Sequence, residues 1–523
     1  MPASKNAPSK NHRRTFRITG DARLNLHRRI FTLRRRLAPR LAVRAPLSRR
    51  ARLAISLLLF AVAFAVRALH ADDLRPVIYT TNQPFGGLTA GYDHRAVDIV
   101  EGGGLLGPYR KPWQTEWLSQ APGYSIYLSA IYRTAGRDFF AVQLVQNGLT
   151  AMAPVLLFLI AARLFGWRVG VVAGLLAAVS HHLAHISNFI LPDALCALPL
   201  LAAFYVLSSA RRWRRAYLAY ALAGLLVGLA AWLRPQLMLL GPFLVLMLAL
   251  VGKPRLPAAK RALITAAVAL LTIAPITIKN YLVYHEFVPI NIGVGIVMWE
   301  GIADYSGDRF GAVATDDAVA LQEAELYNEP RYAGSWTTPD GITRDRDRVR
   351  RSLAVIREHP LWYAGAMFDR CRGMVNYAAH APLVYRLGQQ NPPPADATVR
   401  PEWQALAARA PGRSPGQWLF WLRPVVRAAE RLTKETMLAM IVIGALLGFV
   451  MAWRRAMFTA IVPFYYFIFQ SAVHTEFRYT LPMQYFLFVF AALGWVIFGG
   501  GLVRVVLKRM RRGRRPVGES GVY

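Results

Sequence analysis

The sequence predicts an all-α protein that crosses a membrane many times, with a small extracytoplasmic domain of mixed or mainly helical structure. Of the 523 residues, 55% are hydrophobic and the mean hydropathy is +0.29, which excludes a disordered chain and an ordinary soluble domain. Several apolar runs are long enough to cross a bilayer. Many of the basic residues behind the formal net charge of +34 lie in clusters beside these runs. Together these observations favour a polytopic membrane protein.

Residues 1–51 form a basic tail before the first apolar run. Residues 1–52 contain sixteen Lys or Arg residues and one acid, Asp21. The run 51–69 then approaches the roughly 20 residues that span a hydrocarbon core. Because basic segments stay on the cytoplasmic side, the N-terminus is predicted to be cytoplasmic and the chain to emerge outside from residue 71.

Nine further apolar runs bring the prediction to about ten transmembrane helices. They are residues 138–164, 168–187, 193–209, 214–232, 236–251, 260–278, 436–453, 456–473 and 481–503. With ten spans, every basic cluster between or after them falls on the cytoplasmic side, as the positive-inside rule requires. These clusters lie at 211–215, 253–261, 454–455 and 504–515. The basic tail 504–523 is therefore predicted to be cytoplasmic.

The apolar segment 122–132 is treated differently because it is too short to span. At about 1.5 Å per residue, a helix of this length falls well below a core thickness of about 30 Å. Counting it as a span would also place every basic loop outside. We expect an amphipathic helix that lies on the outer membrane surface.

Two polar stretches are then left outside the cytoplasm: a first loop at 70–137 and a larger region at 280–435. Within the larger region, residues 343–368 are predicted to form one amphipathic helix, and the prolines at 391–394 and 411–415 indicate loops. The remaining parts are a transmembrane module at 52–279 and C-terminal transmembrane helices at 436–503.

Six short motifs give the chain a resemblance to a known group of enzymes. They are YDHRAVDIV at 92–100, PGY at 122–124 followed by GRDFFAVQLVQNGL at 136–149, NFILPDAL at 188–195, WLRP at 232–235, KNYLVYHEFVPINIG at 279–293 and HTEFRYTLP at 474–482. Their order resembles the polyprenyl-phosphate-sugar-dependent glycosyltransferases with the GT-C fold, which include protein O-mannosyltransferases and lipid A aminoarabinose transferases. The resemblance covers about residues 52–505 and implies a GT-C-like fold with its catalytic module at 52–279.

The resemblance implies catalytic roles for two carboxylates, Asp93 and Asp193. Asp93 matches the first-loop acid that acts as general base on the acceptor hydroxyl, whose proton must be accepted as it attacks the sugar. Without the resemblance, a turn former or a surface ion pair would be the more common role for such a residue. Asp193 matches an acid that supports the active site, and capping of the helix that follows is the alternative.

The donor's phosphate requires cations on the same side of the membrane. Four basic residues lie in or beside the motifs and are predicted to bind it: Arg95, Lys111, Arg234 and Arg478. Arginine suits phosphate because its planar fork donates hydrogen bonds in pairs, although any single one could instead reach lipid headgroups. Four further side chains are expected to contact the substrate: Tyr92, His94, Tyr124 and Glu476.

The cofactor prediction is left open. His181 and His185 have the i, i+4 spacing that places two metal ligands on one helix face, but helix packing or a sugar contact is the commoner role of such a pair. No cofactor is required by the motifs, and a divalent metal remains possible.

The apolar runs and basic clusters predict a multi-pass protein of the bacterial inner membrane. The resemblance implies that it is a glycosyltransferase with its active site on the periplasmic face. It would move one sugar, with inversion, from a polyprenyl-phosphate donor to a glycan, lipid or protein acceptor. The alternative is a transporter or flippase, which would place ionisable residues or broken helices near the bilayer midplane. Nucleic acid is not an expected partner, since attraction to anionic membrane lipids explains the basic tails.

Overall fold

The computed structural model describes residues 47–80, 85–107, 115–252, 255–380, 400–409 and 415–513. Throughout these ranges the regular structure is helical, with no β-strand, so the all-α prediction is confirmed. The α-helices are α1 (Arg49–Ile78), α2 (Gly86–Val100), α3 (Gly123–Ala135), α4 (Phe139–Phe165), α5 (Trp167–Ala178), α6 (His181–Ile186), α7 (Ala197–Ser209), α8 (Ala216–Leu233), α9 (Leu240–Val251), α10 (Arg255–Tyr284), α11 (Val294–Ser306), α12 (Asp316–Leu326), α13 (Gly341–Glu358), α14 (Pro360–His380), α15 (Pro401–Arg409), α16 (Pro415–Trp418), α17 (Arg423–Tyr465) and α18 (Leu481–Gly513).

Six helices of the described chain are long and apolar enough to cross a membrane. They are Arg49–Ile78, Phe139–Phe165, Ala216–Leu233, Leu256–Tyr284, Phe420–Gln470 and Phe477–Gly499. Three apolar helices are shorter: Trp167–Ala178, Ala197–Ser209 and Pro235–Val251. The chain is therefore a multi-pass membrane protein, and the number of about ten spans stays a prediction.

The long helix α17 is a hairpin rather than a single rod. Ala452 has non-helical backbone angles, φ −148° and ψ 54°, which interrupt the helix immediately before Trp453. Ala445 and Phe449 precede this kink, Ala456 and Ala460 follow it, and all four pack into one cluster with Phe490 of α18. The two halves therefore lie side by side, as expected for the separate apolar runs 436–453 and 456–473.

The short helix α3 forms where the segment 122–132 predicted a helix. It begins after Pro122 and ends before Gly136, whose positive φ of 77° places it in a region that glycine readily adopts. Tyr124, Leu128 and Tyr132 form its buried face. Its position at the membrane surface stays a prediction.

The region 280–435 contains helices α11 to α16, and one of its predicted helices is broken in two. The predicted helix at 343–368 is interrupted at His359, because Pro360 lacks a backbone N–H and disfavours helical geometry in the residue before it. Helices α12 and α13 are joined by a buried carboxylate, Glu323, which accepts hydrogen bonds from Arg344 and Arg348 at 2.7 Å. The proline segment 391–394 lies outside the described residues.

Three irregular segments interrupt the helices and converge in space. The first, at 187–196, separates α6 from α7; the second, at 234–239, follows α8; and the third, at 471–480, precedes α18. Residues from all three line one cavity. Each segment carries one of the motifs found in the sequence, which explains why those motifs are polar between apolar helices.

Candidate active site

The largest described cavity has a volume of about 780 Å³ and lies where these three segments meet α2 and the loop before α11. Five of the ten predicted site residues line it: Tyr92, Asp193, Arg234, Glu476 and Arg478. A cavity of this size accommodates a sugar with its phosphate, since small-molecule sites commonly measure about 300–1,000 Å³.

Asp193 and Arg234 form a buried ion pair on the cavity wall. The Arg234 Nη2 donates to Asp193 Oδ1, and the Arg234 guanidinium lies 4.9 Å from the ring centre of Tyr479. The Asp193 side chain is fully buried within the protein, and its Oδ2 has no hydrogen-bond partner among the described residues. A buried carboxylate oxygen without a donor is costly, so it marks a group that is available to a ligand.

Glu476 and Arg478 form a second pair beside the first. Arg478 donates from Nε to Glu476 Oε2 at 2.6 Å and from Nη2 to Oε1 at 2.9 Å, the two-pronged geometry of strong arginine–carboxylate pairs. Its guanidinium also lies 4.7 Å from the ring centre of Phe85. Burial is the largest single effect and opposes ionisation of Glu476, but the charge and hydrogen bonds of Arg478, with smaller contributions from His474 and Arg234, together lower the pKa of this carboxyl.

A third set of polar residues in the cavity was not singled out by sequence. Gln236 follows the WLRP motif and donates to the Tyr466 hydroxyl at 3.1 Å and to the Tyr479 carbonyl at 2.9 Å. Because Gln236 follows the motif directly, an extension of WLRP by one residue would have identified it. The hydrogen bonds tie the segment after α8 to the segments around 466 and 479.

Two acids from the region 280–435 complete the wall. Glu300 of α11 and Asp316 of α12 line the cavity and are hydrogen bonded to each other. Burial raises the pKa of Glu300, and the nearby carboxylates of Asp316 and Asp304 raise it further. This pair therefore shares a proton at neutral pH. No short motif in the sequence marks these acids.

Asp93 is not among the residues that line the cavity. Its side chain points away from the cavity and is fully buried among three donors. Arg137 donates to both carboxylate oxygens, at 3.2 and 2.6 Å, while Tyr132 donates at 2.8 Å and Trp403 at 3.2 Å. These contacts satisfy the carboxylate and join α2 to α3 and α15. The role of general base remains a prediction for Asp93, without support from its position.

Arg95 also differs from its expected place. It donates to the carbonyls of Gln120 at 2.9 Å and Glu116 at 2.8 Å, and it stacks over Trp117 at 5.0 Å. The guanidinium thus fixes the backbone at 116–120 and lies outside the large cavity. Lys111, the remaining predicted phosphate ligand, is outside the described residues.

The last two predicted substrate contacts also lie away from the cavity. His94 is exposed on α2. Tyr124 is fully buried, and its hydroxyl donates to Gln146 Oε1 at 2.8 Å. Its ring packs at 5.2 Å against Tyr92, which does line the cavity. Tyr124 therefore contacts the ring of Tyr92 without lining the cavity itself.

Comparisons with known proteins agree with the resemblance carried by the motifs. A sequence model of the dolichyl-phosphate-mannose-protein mannosyltransferase family matches residues 119–278, a range that includes Asp193 and Arg234. Among curated proteins, none matches the chain in sequence.

Solved structures give a match over most of the chain. The apo oligosaccharyltransferase of Archaeoglobus fulgidus aligns with a TM-score of 0.51 and 15% identity, over 90% of this chain and 53% of that one. The oligosaccharyltransferase AglB of the same organism, bound to an inhibitory peptide and a dolichol-phosphate, gives a TM-score of 0.49, 14% identity and the same coverages. ArnT from Cupriavidus metallidurans, bound to undecaprenyl phosphate, aligns with a TM-score of 0.32 and 15% identity, over 85% of this chain and 77% of that one.

The chain spans about half the length of the archaeal chains that it matches. At this level of identity the likeness establishes the fold alone. The protein has a GT-C fold, as the motifs predicted.

Proposed function

We propose that this protein is a membrane glycosyltransferase that moves one sugar from a polyprenyl-phosphate donor to an acceptor hydroxyl inside the large cavity. One observation carries the proposal. Asp193, whose Oδ2 has no hydrogen-bond partner among the described residues, lines the cavity together with two arginines, Arg234 and Arg478. Such a reaction needs a base for the acceptor's proton and cations for the departing phosphate.

The donor phosphate binds between Arg234 and Arg478. Both guanidiniums line the cavity, and both lie against the ring of Tyr479, at 4.9 Å each. A shared aromatic platform keeps the two planar forks close together, which suits an anion with several oxygens. The apolar polyprenyl chain then extends into the surrounding membrane, and the sugar occupies the cavity.

Transfer follows from this arrangement. The acceptor oxygen attacks the anomeric carbon and forms the new glycosidic bond, while the bond from that carbon to the phosphate oxygen breaks. The acceptor's proton passes to Asp193 Oδ2, and polyprenyl phosphate leaves as an anion held by the two arginines. Attack on the face opposite the phosphate inverts the configuration of the anomeric carbon. The leaving group needs no added proton, because phosphate is a stable anion.

The acceptor enters from the side of α11 and α12. Glu300 and Asp316 from these helices line the cavity. This region therefore selects the acceptor, whether glycan, lipid or protein. The basic clusters on the other side of the predicted topology favour a cavity that opens to the periplasm, with both termini in the cytoplasm and the protein in the inner membrane.

The proposal assigns the base to Asp193, whereas the family resemblance points to Asp93. In our assignment Asp93 has a positioning role, because its ion pair with Arg137 holds α2 and thereby places Tyr92 in the cavity. The two assignments predict different behaviour for the same pair of variants.

The test uses the purified full-length chain in detergent, radiolabelled polyprenyl-phosphate sugars and an envelope extract as acceptor. We expect the wild type to transfer sugar from one donor, and Asp193→Asn to reduce kcat by about 10²–10⁴-fold, the usual contribution of a general base. Glu325→Gln, an exposed position on α12, is the control for purification and folding. Asp93→Asn should lower thermal stability and retain measurable transfer.

Two results would overturn the proposal in different ways. If Asp93→Asn abolishes transfer in a folded protein while Asp193→Asn does not, the base is Asp93. If the wild type transfers sugar from none of the donors and instead moves lipid-linked substrates across liposome membranes, the protein is a transporter.

A further inference from the structure

A second group of polar side chains lies outside the cavity, where α1, α6 and α17 meet. His70 comes from the C-terminal half of α1, His181 from the first residue of α6 and Glu430 from the first half of α17. These residues are far apart in the sequence but close in space, and the proposed transfer reaction does not use them. Each supplies one atom that can ligate a metal, and the three atoms lie within 4.8 Å of one another.

The spacing of the three ligating groups matches a small tetrahedral metal site. The His70 Nε2 lies 3.0 Å from Glu430 Oε1, and the His181 Nδ1 lies 3.6 Å from Glu430 Oε2. Ligands about 2.0–2.1 Å from a tetrahedral zinc ion are separated from each other by about 3.3 Å. The two distances to Glu430 fall on either side of this value, and the ligating atoms of the two histidines lie within 4.8 Å of each other, so side-chain adjustments would admit the ion.

The burial and packing of these three side chains also favour a bound metal ion over a simple hydrogen-bonded contact. The His70 side chain is 2% exposed and that of Glu430 is 10% exposed, so both polar groups have left the solvent. The ring of His181 packs 4.7 Å from that of His70, and His185 stacks on His181 at 5.6 Å, which limits how far the imidazoles can move. Packed imidazoles aimed at one carboxylate form a preorganised ligand set.

The nearby cations have their own partners and do not occupy the Glu430 carboxylate. Arg67, one turn before His70, donates to Thr150 Oγ1 and to the Ala63 carbonyl, both at 3.0 Å. Arg423, two turns before Glu430, donates to Asp72 and Asp73 at 2.8 and 2.7 Å. The negative charge of Glu430 is therefore directed at the two histidines.

We propose that His70, His181 and Glu430 bind one divalent metal ion, for which zinc has the best-suited ligands and geometry. The site is structural and is separate from the transfer chemistry. It fastens the first half of α17 to α1 and to α6, and α6 leads directly into the segment that carries Asp193. The metal would therefore hold this segment in place.

The test measures metal binding rather than activity. The full-length protein in detergent is stripped with a chelator and titrated with Co²⁺, whose visible absorption reports tetrahedral coordination, and Zn²⁺ is then added in competition. We expect one ion per chain in the wild type and at least a tenfold weaker affinity in Glu430→Gln, which removes the charged ligand but keeps the shape. His182→Asn is the matched control, because His182 lies on the same helix but bonds to Gln484 instead.

Thermal unfolding with and without zinc distinguishes a loss of metal binding from misfolding of the variant. Zinc should raise the unfolding midpoint of the wild type and of His182→Asn, since a ligand that binds only the folded state stabilises it, and should leave Glu430→Gln unchanged. A second ligand variant, His181→Asn, should behave like Glu430→Gln. The proposal fails if the wild type binds cobalt no more tightly than Glu430→Gln, or if His182→Asn loses binding to the same extent.

Discussion

Both arginines of the cavity are paired with carboxylates in the free protein. Arg234 bonds to Asp193, and Arg478 forms a two-pronged pair with Glu476. A buried guanidinium without a partner would be strongly destabilising, so these pairs stabilise both cations in the cavity. The pairs also set the orientation of each planar fork.

The first prediction concerns the paired hydrogen-bond donors of the Arg478 guanidinium. Arg478→Lys keeps the charge but loses the paired donors, so the KM for the donor should rise about tenfold while kcat changes little. Initial rates against donor concentration measure both parameters. Arg331→Lys is the control, because Arg331 makes the same two-pronged contact with Glu329 on an exposed surface and its loss should leave KM unchanged. Equal KM values for Arg478→Lys and the wild type would contradict the phosphate role.

The acid pair Glu300–Asp316 predicts how stability depends on pH. Because folding raises the pKa of Glu300, the folded state holds a proton that the unfolded chain has released, and stability decreases as pH rises from about 4.3 toward the raised pKa. Glu300→Gln should therefore unfold at a temperature a few degrees above the wild type at pH 8 and at the same temperature at pH 4.5. Thermal unfolding in detergent at several pH values measures this. An unchanged pH profile in Glu300→Gln would exclude the shared proton.

At the residue scale, the sequence indicates which short segments lie near the cavity, but it does not indicate which of their side chains point into it. Tyr92 and Asp93 are neighbours on one helix, so their side chains point about 100° apart, and only one of them can face the cavity. The motif covers both residues and does not indicate which one does so. Asp193, Arg234, Glu476 and Arg478, which line the cavity, were predicted as site residues because they lie in the motifs that carry the family resemblance.

At the scale of elements, the contact between α17 and α18 depends on a glycine. A Cβ added at Gly444 would clash with the carbonyl of Phe490, so the two helices can approach this closely only without a side chain there. We predict that Gly444→Ala lowers the free energy of unfolding by about 1–3 kcal/mol through overpacking. Thermal unfolding of the purified variant measures the effect.

The matched control lies on α18. A Cβ added at Gly499 meets nothing within 4 Å, so Gly499→Ala should be neutral or slightly stabilising through its better helix propensity. Equal stability of Gly444→Ala and the wild type would show that the two helices can separate without cost.

Element boundaries were predictable where the chain has a local signal and less so elsewhere. Pro360 marks the break between α13 and α14, although the amphipathic pattern on both sides of it predicted one helix. The kink at Ala452 carries no proline or glycine, and the charged pair Arg454–Arg455 was the signal that separated the two apolar runs. Packing around Phe490 then fixes the hairpin, and such tertiary contacts cannot be read from local sequence.

At the scale of the whole molecule, the topology can be tested by labelling. With Cys196 and Cys371 replaced by serine, a single cysteine is placed at an exposed position, either Leu326→Cys on α12 or Arg214→Cys between α7 and α8. We expect a membrane-impermeant maleimide to label Leu326→Cys in intact spheroplasts and Arg214→Cys only in inverted vesicles. The reverse pattern would place the cavity on the cytoplasmic side.

The pairing of Arg234 with Asp193 also bears on the order of events. As long as no phosphate is bound, Arg234 neutralises the Asp193 carboxylate through Oδ1, which makes the unpartnered Oδ2 a weaker base for an acceptor that arrived first. Phosphate binding is therefore an exchange of partners, in which the donor takes the arginine and frees the carboxylate. We expect ordered kinetics with the donor first, and product-inhibition patterns will reveal that order. Because the donor frees the base before the acceptor arrives, a bound donor without an acceptor is exposed to water, and slow hydrolysis of the donor should be measurable when no acceptor is present.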